Sequence, residues 1–232
     1  MAKTKAHQKY ISPVTGKPVP GSTTIIGGNL GWNKYILMAW AKRTAMAGED
    51  PDKVRDQAGE IGTIAHEMVE EHLGLTYDAI PEKPFDADQY APVHVEKGQL
   101  AYEGYLDWEK TIELEPLHSE IQLAHPYLLY GGTIDMMAMV NGVLTVVDFK
   151  TSKGVYADHI IQVASYRQMF IDYQESVEDP VDPDIPTLIL HMSKEDGRFT
   201  PYHFTADQLA VPWRIFTHLV DLHYLKKRMP TT

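Results

Sequence analysis

Two runs of strand-forming residues flank Asn141-Gly142 within residues 131–150, GGTIDMMAMVNGVLTVVDFK. Asn-Gly is the strongest short signal for a two-residue hairpin, because both central positions of a type I′ turn need φ > 0. Such a loop sets Val140 opposite Val143 and continues outward. Met139 then faces Leu144, Met137 faces Val146, Asp135 faces Asp148 and Thr133 faces Lys150. Side chains alternate along a strand, so these outer pairs share one face. Ile134, Met136, Val147 and Phe149 fall on the other, the expected core face.

The rest of the chain is mostly helical in period. Trp32, Tyr35, Ile36, Ala39, Trp40 and Arg43 predict a helix over 32–46, with its aromatics in the core. Pro51 opens a second helix, to about residue 73, with a stripe of Ile61, Ile64, Ala65, Met68, Val69 and Leu73. A third is expected over 95–114, ended by Pro116. Helices over 156–173 and 207–227 follow, the latter with Pro212 near its first turns. Strands are expected at 22–26, 117–125, 187–192 and 199–204, the last two joined at Asp196-Gly197. Gly27, Gly28 and Gly31 break the first of them. Residues 1–22 read as an irregular arm, and proline-bearing 76–94 as a connection or a lid. Helices, three strands, a crossover helix, two strands and a helix predict an α/β fold. Its mixed central sheet carries helices on both faces, with a mostly helical N-terminal part.

Composition narrows the class. The 232 residues, 44% hydrophobic and 23% charged, are ordinary for globular protein. No apolar run reaches about 18 residues, and the N-terminus lacks the apolar stretch of a signal peptide, so no membrane association and a cytoplasmic setting are expected. Zero cysteines excludes disulfides, thiol catalysis, thiolate zinc sites and Cys-ligated iron–sulfur clusters. A net charge of −11 argues at first against a nucleic-acid partner. Its distribution argues otherwise. Residues 1–48 hold Lys3, Lys5, Lys9, Lys17, Lys34, Lys42 and Arg43 and no acid, and Lys226-Lys227-Arg228 adds a second basic cluster. Basic ends on an acidic protein can hold a phosphate backbone locally, or simply solubilise the chain.

Candidate chemistry starts from the hairpin. Its register places the Asp135 and Asp148 Cβ atoms about 4.5–5.5 Å apart among apolar neighbours. A divalent cation is the simplest compensation for two such carboxylates. Lys150 lies on the same face; a solvated hairpin end with an ion pair is the plainer alternative. His66, in GTIAHEMVEEH, lies beside the helical stripe. It is not part of a zinc-protease HExxH, because the fourth residue after it is Glu70. Alone it reads as a packed or exposed histidine.

Taken together, GTIAH (62–66), Glu120, GTID (132–135), DFK (148–150) and QVASY (162–166) resemble the PD-(D/E)XK nuclease superfamily. The similarity is to its RecB-like exonuclease branch, with GxxxH, GxxD, DxK and QxxxY motifs, including phage, prophage and mitochondrial genome-maintenance members. Ile134 stands where the nominal motif has proline, and the iron–sulfur cysteines of some relatives are absent. The resemblance implies a restriction-endonuclease-like core and one nuclease domain over 1–232. Residues 1–115 would be its helical part and 116–232 the catalytic sheet and closing helices.

It implies Mg²⁺ or Mn²⁺ bound by His66, Asp135, Asp148 and the Phe149 carbonyl, with Glu120 holding metal or its water. Lys150 would orient or deprotonate the attacking water. Gln162, Tyr166, Thr151, Lys153, Lys42 and Arg43 would contact the substrate. The implied activity is hydrolysis of phosphodiester bonds at DNA ends or single strands in recombination, repair or replication. A recombinase or single-strand-binding protein is an implied partner, and host cytoplasm the setting for a phage-encoded member. The other readings are a catalytically vestigial DNA-end-binding module of a recombination or CRISPR-adaptation complex, and a zinc hydrolase on another substrate.

Overall fold

Asn141 and Gly142 both have positive φ, 50° and 77°, so the type I′ hairpin forms. It joins β4 (Gly131–Val140) to β5 (Val143–Lys150), with Val140 opposite Val143, Met139 opposite Leu144 and Met137 opposite Val146, as the sequence predicts. The computed structural model describes residues 9–230, so Lys3 and Lys5 of the basic arm lie outside the described residues.

The chain begins with a short ribbon, β1 (Tyr10–Ile11) on β2 (Pro18–Val19). Helices α1 (Ser22–Asn29), α2 (Lys34–Met46), α3 (Pro51–Thr76) and α4 (Pro92–Glu109) follow. Then come β3 (Leu114–Ala124), the β4–β5 hairpin, α5 (Ala157–Ser176), β6 (Thr187–Met192), β7 (Phe199–Phe204) and α6 (Ala206–Lys226). The five-stranded sheet has order β3-β4-β5-β6-β7 and is antiparallel except for β5–β6. That parallel step requires a crossover, and α5 supplies it.

Helices cover both faces. Ile134, Met137 and Val146 pack with Ile25 and Ile26 of α1, Met169 and Phe170 of α5, and Phe216 and Val220 of α6. Met136, Val147, Phe149 and Leu190 pack with Ala65, Val69 and Leu73 of α3 and Tyr105 and Trp108 of α4. Two buried faces explain why β5 and β6 read as almost continuous apolar runs. They also correct the single core face expected for the hairpin: Ile134 and Met136, two residues apart, belong to opposite layers.

Three further expectations fail for tertiary reasons. Residues 22–26 form a helix rather than a strand. Ile25 and Ile26 are buried from it, and Ser22 Oγ donates to the Gly131 carbonyl at 3.2 Å. Burial outweighs the extended preference of the Thr-Thr-Ile-Ile run. Pro116 does not end α4, which stops at Glu109; it lies inside β3, where the register with β4 slips between Pro116 and His118. A proline cannot donate to the ladder and belongs at such a bulge.

The aromatics of α2 are not core. That helix buries no residue, and Tyr35 is 82% exposed.

The 77–91 connection is strapped along α3. The Tyr90 hydroxyl donates to Glu67 at 2.8 Å, the Phe85 N–H donates to Glu71 at 2.9 Å, and Lys83 pairs with Glu70. It is a connection, not a lid over the hairpin acids. No helix among the described residues is long and apolar enough to cross a membrane.

Candidate active site

Gly62 lets α3 approach the end of β5. A Cβ there would stand 3.0 Å from Thr151 Oγ1, tighter than ordinary contact. One turn later on the same helix, His66 reaches the sheet. Its Nε2 lies 3.2 Å from the Phe149 carbonyl oxygen. A carbonyl only accepts, so Nε2 carries a proton and Nδ1 is the ring nitrogen turned toward the acids. Nδ1 points toward Asp135, 3.9 Å from Oδ2. A histidine whose second nitrogen is tied to a backbone carbonyl is the usual form of a metal-binding imidazole.

The β4–β5 ladder ends at Met136 opposite Val147, one residue short of the expected Asp135–Asp148 pair. Thr133 and Lys150 do not pair either. Instead the Phe149 N–H donates to Asp135 Oδ2 at 2.8 Å. A side chain has taken a position that a strand carbonyl would otherwise fill, and the strands part around it.

On the other side of β4, Ser119 faces Met136 and Ile121 faces Ile134. Glu120 therefore lies opposite Asp135, and its backbone is left-handed, with φ 51°. Carboxylate oxygens of Glu120 and Asp135 and a ring nitrogen of His66 all lie within 4.8 Å of one another. Glu120, for which the resemblance implied a hold on the metal or its water, thus stands directly beside His66 and Asp135.

Asp148 is 1% exposed and pairs with Lys150, Nζ to Oδ2 at 2.5 Å. Its Oδ1 is buried with no hydrogen-bond partner among the described residues. Burial raises its pKa and Asp135 adds to this, against the opposing pull of Lys150 and His66. Burial would lower the Lys150 pKa, but Asp148 and Asp135 outweigh it and hold the ammonium above its ordinary range. An orphaned buried carboxylate oxygen, the Glu120 and Asp135 carboxylates and a ring nitrogen of His66 make a donor set that suits a hard divalent cation. The Phe149 carbonyl, expected in the same shell, accepts from His66 in this arrangement.

Gln162 and Tyr166 share one face of α5, and Gln162 Nε2 donates to the Tyr166 hydroxyl at 2.8 Å. Tyr166 is buried against β4: a Cβ on Gly132 would meet its ring at 2.5 Å. Burial pushes its pKa well above the ordinary value, and Asp148 and then Asp135 add to this against the Gln162 hydrogen bond. Thr151 is buried beside α3 and Lys153 is exposed in the loop after β5. Lys42 and Arg43 stand exposed on α2, and no contact among the described residues ties them to the cluster.

Three residues near the site carried no motif. The Tyr10 hydroxyl bonds Thr133 Oγ1 at 2.9 Å, bringing the N-terminal ribbon to β4. Asp158 and His159, at the start of α5, line a cavity of about 120 Å³ with Thr23 and Gln162. Burial and then Lys150 lower the His159 pKa. Only their position on a helix start just after DFK hinted at this.

The chain matches no family model and no curated protein. Among solved structures it is similar to one described as the crystal structure of SSO0001. The identity is 14% and the TM-score 0.27, over 68% of this chain and 74% of that chain.

Proposed function

We propose that this chain is a metal-dependent deoxyribonuclease that hydrolyses phosphodiester bonds at DNA ends or in single strands. The convergence of His66, Glu120 and Asp135 within 4.8 Å, next to the buried Asp148–Lys150 pair, carries the reading. His66, Glu120 and Asp135 would hold Mg²⁺ or Mn²⁺, with the free Oδ1 of Asp148 as a further donor. A bound divalent ion supplies an activated water and charge relief on the phosphate.

The chain's own groups do the rest. Asp148 fixes the Lys150 ammonium at the mouth of the site, where it donates to a non-bridging phosphate oxygen. Tyr166 and Gln162 hold the floor under β4 rigid. The exposed Lys42 and Arg43 on α2, and Lys153 after β5, give the strand's backbone its cationic contacts.

The test is digestion of end-labelled single-stranded, blunt and circular DNA in Mg²⁺ and in Mn²⁺. Linear DNA is cut, and Asp148→Ala or Lys150→Ala reduces the rate about 10²-fold or more. A pure protein that cuts none of these substrates in either metal overturns the reading. Unchanged rates in both variants do the same.

A further inference from the structure

β5 and β6 form the parallel pair of the five-stranded sheet, so their carboxyl ends lie at the same edge. The chain leaves β5 toward α5. It leaves β6 toward α4, where a Cβ on Gly104 would meet the Gly197 carbonyl at 2.8 Å. Loops that diverge in this way leave a crevice between them, the usual ligand position in open α/β sheets. Here the crevice is a cavity of about 440 Å³, lined by Thr151, Ser152, Lys153, His191, Ser193 and Lys194, with exposed Glu195. No large apolar side chain lines it, so its occupant is polar.

The walls are tied together, because His191 Nε2 donates to the Ser152 carbonyl. Lys194 Nζ donates to the Ala58 carbonyl of α3 at 3.2 Å, which positions the charge without neutralising it. Burial lowers the Lys194 pKa; Glu195 opposes this, and Lys97 and Lys153 add to the lowering. The nearby acid, Glu195, already sits 3.9 Å from Lys97. Neither Lys153 nor Lys194 has an ion pair among the described residues. Lysines thus crowd one cavity of a chain whose net charge is −11. Like charges gathered in a partly desolvated crevice favour an anion there.

We propose that this cavity is a second phosphate site, held by Lys153 and Lys194, for a phosphate of the bound strand other than the one being cleaved. Thr151 and Lys153 continue directly from Lys150, so the crevice opens beside the candidate active site. The identity of the strand rests on the nuclease reading. A phosphate has two sources, a strand terminus or the internal backbone.

The experiment has two arms. In EDTA, the full chain is titrated with inorganic phosphate by calorimetry. Wild type and Asp135→Asn bind alike. Lys153→Gln and Lys194→Gln bind at least tenfold more weakly, and Lys194→Arg recovers most of the loss with an unchanged melting temperature. No phosphate binding at millimolar concentration, or equal binding in wild type and both Gln variants, overturns the proposal. In Mn²⁺, cleavage is then compared on 5′-phosphorylated, 3′-phosphorylated and hydroxyl-ended strands. A preference for one end that Lys194→Gln removes assigns the site to that terminus, and an equal loss on all strands assigns it to the backbone. No loss on any strand overturns it. Lysine-dependent phosphate binding without cleavage of any DNA leaves the anion site standing and removes only the nuclease reading.

Discussion

Glu120 lies opposite Asp135 across β3 and β4 with its backbone at φ 51°, in a region where a glutamate is rare. Ordinary strand geometry would keep the alternation of side chains intact through this point. Here Ile134 joins the α5–α6 layer and Met136 the α3–α4 layer. The acids sit at the break between them. Backbone strain of this kind persists where the surrounding structure over-determines it, and it concentrates at functional sites.

Glycine adopts the left-handed region without a steric penalty. Glu120→Gly is therefore expected to raise the metal-free stability by about 1 kcal/mol while abolishing cation binding. Urea midpoints in EDTA and in Mn²⁺ measure both effects. A variant less stable than wild type in EDTA contradicts the strain argument.

Adding Mn²⁺ should raise the melting temperature of the wild type, since an ion that binds only the folded state stabilises it by about 2.7 kcal/mol at 100 times its Kd. Asp135→Ala and His66→Ala remove most of that gain, because both residues supply atoms to the cluster. Differential scanning calorimetry with and without EDTA reads the effect independently of any activity. Equal gains in all three proteins would place the ion elsewhere.

Gly132 lies under the Tyr166 ring, with 2.5 Å between that ring and an added Cβ. Gly132→Ala forces the ring or α5 to move and should cost about 1–3 kcal/mol. It also displaces the brace beneath Asp135. Chemical denaturation gives the stability, and manganese affinity reports whether the site moved with the ring.

Glu109 accepts hydrogen bonds from Tyr105 and Tyr77 and faces His72 Nε2 at 2.9 Å. Burial would raise its pKa, but His72, Tyr105 and Tyr77 together lower it. A carboxyl depressed in the folded state contributes stability above its unfolded pKa. That contribution is lost as pH falls through the folded one. Glu109→Gln should cost about 2 kcal/mol at pH 7, and the difference should shrink as the pH falls below about 4. Denaturant midpoints across that range check the sign.

Exposed Lys42 and Arg43 on a helix that buries nothing have no structural duty to perform. Each Ala substitution should leave stability unchanged within about 0.5 kcal/mol. Each should also lower the slope of log affinity against log salt for single-stranded DNA by about 0.7. Fluorescence anisotropy at several salt concentrations measures the slope.

Local chemistry determined much of this protein. Asn141-Gly142 can bend only one way at low cost, so the hairpin and the register of Met137 on Val146 follow from the residues alone. The Gln162–Tyr166 pair follows equally from helical spacing. Tertiary structure decided the rest. The row of acids shifted from Asp135–Asp148 to Glu120–Asp135 because the strands part where the Asp135 carboxylate takes the Phe149 N–H. Residues 22–26 became a helix because Ile25 and Ile26 are buried against α5 and α6. The cavity at the β5–β6 edge brings together residues far apart in sequence, Lys153 and Lys194. Periodicity reports only neighbours along the chain; where two strands separate, or which lysines meet, depends on the packing of every layer at once.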